Sequence, residues 1–212
     1  MKYVKILSLL AVAAAALMAF AASASATTVT SPTGTAYTGT ITAVAESSLD
    51  LTGPFATVKC TVSHVEGKIE SQGSGKTASG KIATLSFGTL GSPCQNGTPT
   101  QANPLGSLEV HAVKKGTTEA CKEAEGDTCE GTLTSTGTVI VVHTSLGECI
   151  YETKSTDLGK LTTTSQTGKT ATMDINASLP QVGPNTFLCG QSGQWTGSYS
   201  VTGPDALWID AS

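Results

Sequence analysis

The chain contains no arginine, and charged residues of any kind make up only 13% of its 212 positions, against roughly a quarter in ordinary globular proteins. Without arginine there is no bidentate clamp for phosphate or carboxylate, the usual anchor of a nucleotide-using enzyme. Lysine does not compensate, because twelve lysines stand against sixteen acids for a formal charge of −4. Nucleic-acid binders need a concentrated basic surface to displace counterions from phosphate, so nucleic acid is not an expected partner. Aromatic residues are scarce at 5%. Beyond the first 26 residues there is no apolar run approaching the roughly 20 residues of a spanning helix, and no long stretch with Leu or Ala at helical spacing.

What the chain does have begins with an export signal. Lys2 and Lys5 open it without an acid, an apolar run from Ile6 to Ala22 follows, interrupted only by Ser8, and Ala24-Ser25-Ala26 closes it. Basic, apolar and small-residue segments in that order describe a secretory signal peptide over residues 1–26, with cleavage before Thr27. The mature chain, 27–212, is then expected to be secreted or held in the cell envelope, with no membrane insertion after cleavage.

The mature part is rich in Thr, Ser and Gly, which favour strands and turns over helices. Alternating apolar and polar runs, such as Ile82 to Phe87, Ser107 to Val113 and Ser198 to Thr202, imply strands with one buried and one wet face. Val139-Ile140-Val141-Val142 reads as a central strand covered on both sides. The fold class is therefore all-β, an antiparallel β-sandwich or squat barrel.

A duplicated plan runs through it. Gly39-Thr40-Ile41-Thr42 answers Gly131-Thr132-Leu133-Thr134, Gly67-Lys68-Ile69 answers Gly159-Lys160-Leu161, and Gly75-Lys76-Thr77-Ala78 answers Gly168-Lys169-Thr170-Ala171. Cys60 answers Cys149 and Cys94 answers Cys189; Pro104 with Leu108 to Ala112 answers Pro204 with Leu207 to Ala211. Matches in the same order define half-repeats 39–112 and 131–211 around an acidic segment, 113–130. Each is short for an independent fold, so the two are expected to share one core as a single domain.

Six cysteines, Cys60, Cys94, Cys121, Cys129, Cys149 and Cys189, form an even set that suits disulfides in an exported chain. Equivalence of the halves pairs Cys60 with Cys94 and Cys149 with Cys189, leaving Cys121 with Cys129. A zinc site would want cysteines two to four apart, and the nearest pair here, Cys121 and Cys129, is eight apart.

Candidate chemistry is thin. Gly75-Lys76-Thr77 and Gly168-Lys169-Thr170 imitate the end of a phosphate-binding loop, but the required first glycine is Glu70 in one copy and Thr163 in the other, so both read as turns. His64, His111 and His143 fall on separate expected strands, and Gly190-Gln191-Ser192-Gly193 lacks the closing glycine of a nucleophile elbow at Gln194. Glu123, Glu125 and Asp127 alternate too briefly for a calcium loop, and a solvated, disulfide-pinned loop is the simpler reading. Trp195, Tyr199 and Trp208 cluster late in the chain and are expected in the core. No metal, cofactor or catalytic set is expected.

The ending Phe187-Leu188-Cys189-Gly190, Trp195-Thr196-Gly197-Ser198-Tyr199 and Pro204-Asp205-Ala206-Leu207, with the Ala-rich leader, resembles a group of small exported proteins of soil actinobacteria that carry no assigned activity. It is more distantly similar to secreted activators of alkane oxidation. Both resemblances imply an exported, non-catalytic β-protein. The functional expectation is a non-enzymatic structural, adhesive or ligand-presenting protein. The alternative is a carbohydrate-binding or glycan-hydrolysing domain using Trp195 or Trp208 with a carboxylate such as Asp205 or Asp210.

Overall fold

A computed structural model describes residues 27–30, 35–72, 77–102, 105–113, 128–164, 169–184, 186–203 and 207–211. The expected export signal at 1–26, Cys121, the acids Glu123, Glu125 and Asp127, Pro104, Asp205 and the expected turns at Gly75-Lys76 and Gly168 lie outside the described residues. The expected all-β class holds, and the architecture is a barrel.

The first half contributes β2 (Thr40–Ala45), β5 (Ser63–Ser71), β6 (Ala78–Phe87) and β8 (Ser107–Val113) to the barrel. The second contributes β9 (Thr128–Thr136), β12 (Thr156–Thr164), β13 (Thr172–Pro180) and β14 (Ser192–Gly203). These eight strands pair in the order β2-β5-β6-β8-β9-β12-β13-β14, and β14 returns to β2, every pairing antiparallel. Closure leaves no sheet edge on the barrel itself. Inward positions hold Ala43, Ile69, Ile82, Leu133, Leu161, Ile175 and Val201, all buried, while alternate positions such as Lys68, Lys81 and Lys160 face solvent, the period of two that the sequence displays.

Each half also carries a hairpin, β3 (Leu49–Thr52) with β4 (Thr57–Cys60), and β10 (Val139–Thr144) with β11 (Gly147–Glu152). The hairpins are exchanged. β3 pairs with β14 at Gln194 to Thr196, and β10 pairs with β7 (Thr98–Ala102) of the first half. Each half therefore completes the other, which makes the two inseparable within one core. At the opposite end of the barrel β1 (Thr27–Thr30) and β15 (Trp208–Ala211) form a ribbon, placing Val29, Trp208 and Ile209 in the core.

Both expected long disulfides are present, Cys60–Cys94 and Cys149–Cys189, with sequence separations of 34 and 40. Loops of that length lose enough unfolded-state entropy to stabilise the fold by about 4 kcal/mol each in the chain-entropy model. Each ties the second strand of a hairpin to the segment leading into the strand that receives the other half's hairpin. Cys129 is also disulfide-bonded.

Three expectations change. β10 is the middle strand of its sheet, but only Ile140 and Val142 are buried, with Val139 and Val141 half-buried, so a single face is covered. The segment 113–130 is not all loop: Val113 pairs with Glu130, and Thr128 and Cys129 extend β9 against β12. The match of Leu108–Ala112 to Leu207–Ala211 does not describe equivalent strands. Ala78 lies opposite Val110, and Ala171 accepts a hydrogen bond from the Val201 N–H at 2.8 Å, so the barrel counterpart of β8 is the end of β14. The second half merges two strands into one of 12 residues, and the leftover alternating segment pairs with β1 instead.

Candidate functional site

The end of the barrel that carries the hairpins gathers apolar side chains at the surface. Gly53-Pro54-Phe55 forms the turn of the β3–β4 hairpin, and α1 (Thr186–Cys189) is a single turn between β13 and β14. Gly190 ends that turn at φ +69°, and a Cβ there would lie 2.6 Å from Pro54 Cγ. Only glycine accepts both the left-handed conformation and this approach. The contact sets Phe55 and Phe187 with ring centroids 6.3 Å apart.

The Cys149–Cys189 bond fastens α1 to β11, and Tyr151 donates its hydroxyl to the Cys189 carbonyl at 3.2 Å. Burial pushes the Tyr151 phenol above its ordinary range, which keeps it a neutral donor. Between the two hairpins and α1 runs a groove lined by Leu51, Phe55, Val142, Leu146, Tyr151 and Leu188. Phe55, Leu146 and Phe187 expose 60%, 56% and 85% of their surface. Among the described residues no carboxylate, imidazole or amine lines the groove, and its surface is mainly apolar.

The residues considered from sequence for catalysis do not meet. His64 is on β5, His111 on β8 beside Glu109 at 3.9 Å, and His143 on β10 paired with Glu148 at 3.3 Å. Among the described residues no three His, Cys, Asp or Glu converge on a metal-sized site. Glu70 pairs with Lys81 at 3.2 Å, and buried Thr163 donates to the Cys129 carbonyl while accepting from the Ile209 N–H, both at 3.3 Å. Both positions that break the phosphate-loop pattern thus serve the barrel wall.

Trp195 and Trp208 are buried, at 4% and 2% exposure, and their indole N–H groups have no hydrogen-bond partner among the described residues. Trp195 meets Phe87 edge-on at 6.2 Å. Neither offers a face on which a sugar ring could stack, so the carbohydrate reading loses its aromatic platform. Asp210 lies on β15 opposite Thr28. The exposed Phe55 and Phe187 escaped the sequence reading; the available signal was a Phe directly after Gly-Pro, a turn context in which an aromatic has little to pack against. No family model, curated protein or solved structure matches the chain.

Proposed function

We propose that this is an exported, non-catalytic binding module, adhesive or ligand-presenting, that works outside the cytoplasm through the groove between its two hairpins. The observation that carries the reading is the cluster of Phe55, Leu146 and Phe187, held on turns that two disulfides and Gly190 make rigid. Contiguous exposed apolar side chains on a folded surface mark interaction sites more often than chance exposure, and a rigid scaffold that presents loops is the common arrangement for binding. The two disulfides are consistent with an extracytoplasmic protein. Among the described residues no helix is long and apolar enough to cross a membrane.

The test begins with the chain expressed in a bacterial host, where N-terminal sequencing of the protein recovered outside the cytoplasm is expected to start at Thr27. The purified mature protein is then added to envelopes of the producing cells. Phe55→Ser with Phe187→Ser is expected to cut retention at least about tenfold, the loss of roughly 1.4 kcal/mol that removing two aromatic anchors readily exceeds. Equal retention of the double variant, with unchanged folding, overturns the reading.

A further inference from the structure

The barrel interior is not filled at the end away from the hairpins. There a cavity of about 80 Å³ lies among Val29, Ala78, Val110, Met173, Val201 and Leu207. Protein interiors pack as densely as organic crystals, and voids larger than a water molecule are few. The second half provides an internal control for what belongs there. Met173 stands opposite Leu161 and Tyr199, whereas its counterpart Gly80 stands opposite Ile69 and Leu108. The half with glycine and leucine in place of methionine and tyrosine is the half against which the cavity lies.

Gly80 has no side chain to give, because the Lys68 carbonyl occupies the space its Cβ would need. Lys68 and Lys81 border the cavity, but both are exposed, and Lys81 is paired with Glu70. The side chains facing inward are aliphatic. Such a space does not retain water, which needs polar partners, but does accept apolar molecules. Ile41, Val65 and Val110 line it while remaining half-buried, so the cavity is not sealed from outside.

We propose that this cavity is a binding site for a small, uncharged, apolar molecule with a compact body of about three or four carbons, scaling from the roughly 150 Å³ that accommodates benzene. The site is separate from the hairpin groove, and either can fail without the other. The experiment uses the oxidised mature protein, with xenon and then cyclopropane as probes, read by methyl-resolved NMR. Saturable shifts are expected at Val110, Leu133, Met173 and Val201, with a rise in Tm of about 3 to 6 °C when free cyclopropane reaches ten times its Kd. Ala78→Leu, which fills the cavity, is expected to abolish the saturable shifts, and the milder Val110→Ile to weaken binding about threefold to tenfold. Absence of saturable shifts at those methyls overturns the proposal. So do shifts that persist unchanged in both variants, or shifts confined to Leu146 and Leu188 in the hairpin groove.

Discussion

Thr40 faces Lys68 and Ile41 faces Gly67 in the first half, as Thr132 faces Lys160 and Leu133 faces Gly159 in the second. The hydrogen-bonded frames of the two halves coincide at these positions, while the side chains inside and outside them have diverged. Inside, the second half has Met173 and Tyr199 at the positions where the first half has Gly80 and Leu108, which border the cavity. Outside, Lys160 faces Asp174 where Lys68 faces Lys81. The comparison teaches that strand register and interior volume are specified separately. Backbone pairing and bulges hold the first half in place even though the cavity forgoes about 2 kcal/mol, at roughly 24 cal/mol per Å³.

The largest test of equivalence is covalent. Replacing Cys60 and Cys94 by Ser, or Cys149 and Cys189 by Ser, is expected to cost about 2 to 5 kcal/mol each, and by nearly equal amounts, because the bridged separations are 34 and 40. Urea unfolding of the two double variants measures this, and a clearly unequal loss would break the symmetry of the halves. An intermediate effect is expected in the interior. Ala171 is buried and is not among the residues lining the barrel cavity, so Ala171→Leu should lose about 1 to 3 kcal/mol by overpacking, whereas the counterpart Ala78→Leu should be neutral or stabilising by up to about 1 kcal/mol. Thermal unfolding of the two variants side by side reads the difference directly.

The smallest effect separates Tyr199 from Leu108. Burial pushes the Tyr199 phenol far above its ordinary value of 10.0, an effect that the 3.0 Å hydrogen bond with Ser63 offsets only in part. The folded state thus keeps a proton that the unfolded chain releases. Stability is fully present below about pH 10 and falls as pH rises, by about 1.4 kcal/mol near pH 11. Tyr199→Phe should flatten this alkaline slope, measured as Tm against pH, and leave the smaller contribution of Tyr151; an unchanged slope would assign the alkaline loss to other groups.

Much of this frame is legible in the amino-acid order. The Thr-rich alternation identifies the strands, and the order of Cys60, Cys94, Cys149 and Cys189 selects the two bridges found. The later part of the repeat is not legible, because Leu207 to Ala211 and Ser198 to Thr202 alternate equally well and only hydrogen bonding distinguishes the barrel strand from the ribbon. The interior cavity depends on side chains from strands far apart in sequence. No local pattern reports that Gly80, on a wall shared with Ile69 and Leu108, borders a cavity. The hairpin groove lies beyond the sequence pattern for a related reason, since Phe55 and Phe187 are 132 positions apart by their numbering and are brought together by the β3–β14 pairing and the close approach of Pro54 to Gly190.

The exchange of hairpins and the return of β14 to β2 set a schedule for synthesis. β2 and β3 sit near the start of the described chain, yet the partner they share, residues 194–203, emerges near its end. A polypeptide made from the N-terminus outward must therefore hold an open, unpaired edge on β2 until almost all of it exists, and its distant pairings make closure slow. Local pairs such as β5–β6 and β8–β9 can form earlier, but the barrel closes only when the last strands are made. The cost is a vulnerable interval, in which a truncation before residue 194 would leave that edge free to pair with a neighbouring copy.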